Sequence, residues 1–140
     1  EQYIRVTNRE ASLPAAYAGI GDAKRQLGDR DGAKEAYGTL VNQFPGSEQR
    51  LFGLTTLGQM ALEEGDLTGA IDWFEQLQDG DDRFRVEALL GRAEAYRRLG
   101  SEAEQAQSLE LYSALLVIRQ NLLQIICRRG FLTSFLSKRH

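Results

Sequence analysis

The stretch 51–77, LFGLTTLGQMALEEGDLTGAIDWFEQL, constrains the fold of this chain more than any other. Leu54, Leu57, Gly58 and Ala61 fall at i, i+3, i+4 and i+7, which is one face of a helix. The pattern breaks once, at Glu64-Gly65-Asp66. Glycine takes a left-handed helix cap cheaply, and an aspartate after it can accept amide hydrogens at the next helix start. Ala70, Phe74 and Leu77 then form the matching stripe. Small residues, Gly58 and Ala70, mark where the two helices must come close, and Leu57 and Phe74 fill the space beside them. A hairpin this short cannot bury its own apolar face, so it demands neighbours built the same way.

The chain supplies them. Upstream, Tyr17, Ile20-Gly21, Lys24, Gly28, Ala33, Tyr37, Leu40 and a closing Pro45 follow the same template, with Lys24 the one poor match. Downstream, Leu89, Ala93, Tyr96 and Gly100 fit a first helix; three inserted residues then bring Ser108, Tyr112 and Leu115 into register. This spacing resembles the tetratricopeptide repeat. The resemblance implies an all-α solenoid of helical hairpins with a long C-terminal helix. The expected order is repeat one at 14–50, repeat two at 51–85, a stretched repeat three at 86–115 and a helical extension at 116–140. Residues 1–13, with Tyr3, Ile4 and Val6, read either as the end of a preceding partial repeat or as a capping helix. Repeat two starts 37 residues after repeat one, against a usual period of about 34. That excess, with its Phe44-Pro45-Gly46-Ser47 linker, resembles bacterial cell-envelope members such as the Tol-Pal accessory type, which favours periplasm over cytoplasm without deciding it.

Local signals refine the ends. Ser12 is the expected N-cap of the first helix of repeat one, with Pro14 in its first turn. Asp31 is the expected cap of the partner helix, which Pro45-Gly46 stops. Asp79-Gly80-Asp81-Asp82 lacks the alternating ligands and closing Glu of a calcium loop and reads as a helix start capped by Asp81. Ser101-x-x-Glu104 is a capping box, so the last helix starts near Glu102 and runs to about Arg128, which explains the stretched third repeat.

Catalysis finds few tools here. The only histidine is His140, the last residue of the sequence, where ordering is least expected, so no Ser-His or Cys-His pair is expected, and one cysteine, Cys127, excludes a Cys-rich metal site. Gly19-Ile20-Gly21 lacks the third glycine and the preceding strand of a nucleotide loop. The expectation is a non-enzyme without metal or cofactor. A net charge of −3 argues against phosphate-backbone binding.

Binding is the expected function. Stacked hairpins curve and offer a concave face to an extended or helical peptide. The resemblance places the first helix of each repeat on that face. It offers Asp22, Arg25 and Gln26 from repeat one, and Phe52, Thr55 and Gln59 from repeat two. Repeat three offers Glu94, Arg97 and Arg98. Ala15, Ala18, Leu62, Glu63, Glu87 and Leu90 occupy further inner positions. Ala18, Asp22 and Gln59 stand where chaperone-binding members carry a carboxylate clamp, so a chaperone-tail receptor is not expected. Trp73 points off the core stripe, towards a neighbouring helix or a partner.

The tail changes character. All 20 acidic and 12 of the 17 basic residues lie in 1–110, leaving that part at −8; the other five basic residues give 111–140 a charge of +5. Leu111, Leu115, Ile118, Leu122 and Ile125 form one stripe, and Leu116, Leu123 and Ile126 lie off it. A helix that only closes the last repeat needs one stripe. The second predicts self-association, with an anionic membrane as the alternative occupant and a plain solvating cap as the simplest explanation of the tail.

Overall fold

A computed structural model describes the backbone of residues 2–77 and 82–137 and the side chains of residues 12–77 and 83–124. It contains six helices and, among the described residues, no strand: α1 (Gln2–Gln26), α2 (Arg30–Gln43), α3 (Glu48–Glu64), α4 (Leu67–Glu75), α5 (Asp82–Leu99) and α6 (Glu102–Ser137). They pair as hairpins α1/α2, α3/α4 and α5/α6; α3 packs on α2 and α5 on α4, while α1, α3 and α5 touch in series along one side. The expected all-α helical-hairpin solenoid with a long last helix is the fold observed.

One turn chemistry joins every hairpin. Gly65 has φ +83°, where a Cβ would clash with backbone, and its N–H donates to Leu62 O at 3.2 Å. Asp66 then caps α4, its Oδ1 accepting from Gly69 N at 3.0 Å. Gly28 and Asp29 repeat this before α2, with Asp29 Oδ1 3.0 Å from Gly32 N. Gly100 and Ser101 repeat it before α6, where Glu104 also reaches back to Ser101 N at 3.0 Å. The cap of α2 is therefore Asp29 and not Asp31, which lies within the first turn. Lys24, out of place on the repeat template, pairs with Asp29 at 3.6 Å and so serves the same turn.

Two boundaries differ from expectation. Ser12 and Pro14 both lie inside α1, which runs unbroken from Gln2 to Gln26. A helical proline forfeits one hydrogen bond, and this helix continues through the loss. α6 passes Arg128 and continues to Ser137, 36 residues in all. The turn at 78–81, including Asp81, lies outside the described residues, as do His140 and the side chains of Tyr3, Ile4, Val6, Ile125, Ile126 and Cys127. Among the described residues no helix is long and apolar enough to cross a membrane.

The core runs along the axis of the solenoid. Tyr37, Leu40, Leu54, Phe74 and Leu77 are fully buried, each worth about 1.5–3 kcal/mol of transfer free energy before cavity terms. Trp73 is half-buried and packs against that core, so it covers a neighbouring helix.

Candidate protein-binding surface

The inner positions of α1, α3 and α5 fall into three groups, set by what each side chain meets. The first surrounds Tyr37. Its hydroxyl donates to Asp22 Oδ1 at 2.7 Å, and Arg25 stands 4.0 Å from the same oxygen. Burial, then the hydrogen bond to the Asp22 carboxylate, pushes the Tyr37 phenol up to about 12. Phe52 packs edge-on against Tyr37, centroids 6.1 Å apart, yet keeps 40% of its surface exposed. Asp22 therefore has a partner inside the fold, while Arg25 and Gln26 remain exposed beside it.

The second group lies in the middle of α3. Thr55 is half-buried and its hydroxyl donates to Leu51 O at 2.9 Å within its own helix. Gln59 is exposed. Glu63, expected on the inner face, reaches the other way and meets Arg30 of α2 at 2.9 Å.

The third is the C-terminal half of α5. Arg97 grips Glu94 with two hydrogen bonds of 2.8 and 2.7 Å, and this fork holds the Glu94 carboxyl below its usual range. Arg98 donates to Leu62 O at 2.6 Å, at the C-terminal end of α3. A cation at the carbonyls that end a helix is favoured by the helix dipole. Arg98 thus ties two repeats together, and Arg97 stays on the surface.

Two features of this face were not legible as a pattern. A groove between the first turns of α3 and α5 is lined by Glu48, Leu51, Phe52, Arg83 and Phe84, with the Arg83 guanidinium 4.6 Å from the Phe84 ring centre. Tyr112 of α6 joins Arg97 and Leu109 in a second shallow pocket. Tyr112 carries a repeat spacing that suggests core, and only the packing shows that it and Phe84 are half-buried at the surface.

On α6, Leu111, Leu115 and Ile118 are half-buried against α5. Leu116 and Leu123 are 58% and 51% exposed, off that stripe as expected. Leu122, expected within the stripe, is exposed: with Ile118 it lines an open pocket beside Arg83 and Val86, in the first turns of α5. Ile126 belongs to the same tail, but its side chain is outside the described residues.

Residues 15–47 match the family model of the tetratricopeptide repeat. The fold is an all-α helical-hairpin solenoid with a tetratricopeptide repeat in its first hairpin. The matched segment is α1/α2, the hairpin whose Gly21, Ala33 and Tyr37 superpose in sequence on Gly58, Ala70 and Phe74 of α3/α4. No curated protein and no solved structure gives a significant match to the chain. Tetratricopeptide repeats generally mediate protein–protein interaction and are typically non-enzymatic scaffolds.

Proposed function

We propose that this tetratricopeptide chain is a non-catalytic scaffold that holds a peptide or protein segment on the inner face of α1, α3 and α5. The observation that carries this is Phe52: a large ring 40% exposed, rigidly backed by the buried Tyr37, beside the groove that contains Phe84. Rigid aromatic rings in a groove are the usual anchors of protein interfaces. Arg25, Gln26, Gln59 and Arg97 are exposed polar positions further along the same helices, whereas Asp22, Thr55 and Arg98 are engaged within the fold. Capture of partners by the wild-type chain, by Phe52→Ala and by Arg97→Glu tests it. Loss of the same partner from both variants is the expected result; a partner kept by both places binding elsewhere. The Phe44-Pro45-Gly46-Ser47 linker supports a likeness to cell-envelope members, and localisation of the tagged full-length protein decides that point.

A second reading has its own observation, the exposed Leu116 and Leu123 of α6. It makes the chain an assembly factor that acts through its last helix.

A further inference from the structure

The two ends of the solenoid carry faces that fit each other. Inside the chain, each second helix is covered by the next first helix. At the α2–α3 junction a Cβ on Gly53 would lie 3.1 Å from Leu40 and 3.2 Å from Val41, and Lys34 pairs with Glu64. At the α4–α5 junction the Phe74 ring fills the space over Gly91. Among the described residues, the equivalent face of α6 has no helix upon it, and the equivalent face of α1 has none before it.

The repeat alignment maps one junction onto these ends. On α6, Leu115 and Leu116 stand where Leu40 and Val41 do, Tyr112 where Phe74 does and Leu109 where Lys34 does. On α1, Ala16 takes the place of Gly53 and Gly19 of Gly91, and Leu27, just past its end, takes that of Glu64. A Cβ on Gly19 would meet nothing within 4 Å, so the seat that Gly91 gives to Phe74 is vacant there. Where the internal junction has the ion pair Lys34–Glu64, the two ends offer Leu109 and Leu27, 69% and 85% exposed.

Period and length agree with this pairing. Leu13, Ile20 and Leu27 recur every seven residues along α1 and into the turn that follows it, and Leu109, Leu116 and Leu123 do so on α6; all six are exposed. With Ala16 against Leu115 and Leu116, the antiparallel alignment sets Ile20 between Leu109 and Leu116. Leu13 then falls between Leu116 and Leu123, the interdigitation of knobs and holes. α1 has 25 residues and α6 has 36, against 14, 17, 9 and 18 for the helices between them. The excess of α1 is at its N-terminal end and that of α6 at its C-terminal end, and an antiparallel junction lays these side by side.

We propose that copies of this chain stack head to tail, α6 of one copy covering α1 of the next, so that the solenoid continues across chains. The contact is heterologous, so it propagates unless its rotation closes a ring. It goes beyond the inner-face reading and uses other surfaces, so either can fail alone.

Light scattering on the full chain from low to high micromolar concentration tests it. The wild type gains mass beyond a dimer. Gly19→Leu with Leu27→Glu blocks one face, and Leu109→Glu with Leu116→Glu blocks the other; each variant stays at the mass of one chain. Their mixture, which retains one good face of each kind, stops at a dimer. Gly19→Leu alone keeps the test sound should the charged variants misfold, because its side chain projects into open space in a single copy. Circular dichroism confirms that each variant is folded. A wild type that stays single at all concentrations overturns the proposal. So does an association blocked only by the α6 variant, which would mean α6 pairs with itself. Association seen only with anionic vesicles, and lost at high salt, overturns it in favour of a membrane surface.

Discussion

A Cβ on Gly58 would stand 2.8 Å from Cζ of Phe74, closer than two such carbons pack. Gly91 lies against the same ring from α5, so Phe74 is held between α3 and α5 and is 1% exposed. Tyr37 takes the equivalent place over Gly21, a Cβ there falling 2.6 Å from its ring. The spacing of repeats is thus set by aromatic rings seated on glycines.

Gly58→Leu must displace Phe74, which has no free space to enter. A loss of about 1–3 kcal/mol is expected from urea unfolding. Gly19→Ala is the contrast, since its Cβ meets nothing; it should stabilise, by up to about 1 kcal/mol through helix propensity.

The two aspartates at the start of α2 should differ. Asp29→Ala removes the acceptor for Gly32 N and should cost about 1 kcal/mol. Asp31→Ala, inside the first turn, should stay within about 0.5 kcal/mol in thermal or urea unfolding.

Tyr37 gives the protein an alkaline limit. Its phenol is raised from 10.0 to about 12, so the neutral form is the one the fold favours. The stability this contributes is complete below pH 10 and is lost as pH rises through about 12. Tyr37→Phe lacks that dependence and also loses the hydrogen bond to Asp22, about 1 kcal/mol near neutrality. The difference between the two proteins should therefore shrink from pH 10 upwards, as read by urea midpoints across that range.

Arg97 and Arg98 are neighbours with separate duties. Arg98→Ala removes the side-chain hydrogen bond to Leu62 O, leaving it only the Gly65 N–H, and should lower stability by about 1 kcal/mol. Arg97→Ala breaks exposed contacts, chiefly the pair with Glu94, and should leave the unfolding midpoint nearly unchanged. A partner on the inner face should feel Arg97→Ala most clearly in the salt dependence of binding, measured by calorimetry.

The helical hairpins were legible because what specifies them is local. An eight-residue window contains the stripe Leu54, Leu57, Gly58 and Ala61, and Gly65-Asp66 and Ser101-x-x-Glu104 act within a turn of their own helix. The same logic should have identified Asp29, since Gly28-Asp29 copies Gly65-Asp66; Asp31 was the misleading neighbour. The glycine contacts were legible too, as small residues fall where helices touch.

The fate of the polar side chains was not. Arg98 reaches a carbonyl 36 positions away, Glu63 turns to Arg30, and Asp22 receives the Tyr37 hydroxyl. A charge on a helix surface has the same sequence signature whether it meets water or a neighbouring repeat, so only the packed helices divide Arg97 from Arg98. Leu122 makes the same point for apolar residues. Periodicity assigned it to the buried stripe of α6, and it is exposed at an open pocket beside the first turns of α5. The sequence by itself determined the helices, their turns and the faces they must bury. Tertiary structure decided which of those faces found a neighbour, because burial depends on where the other helices lie.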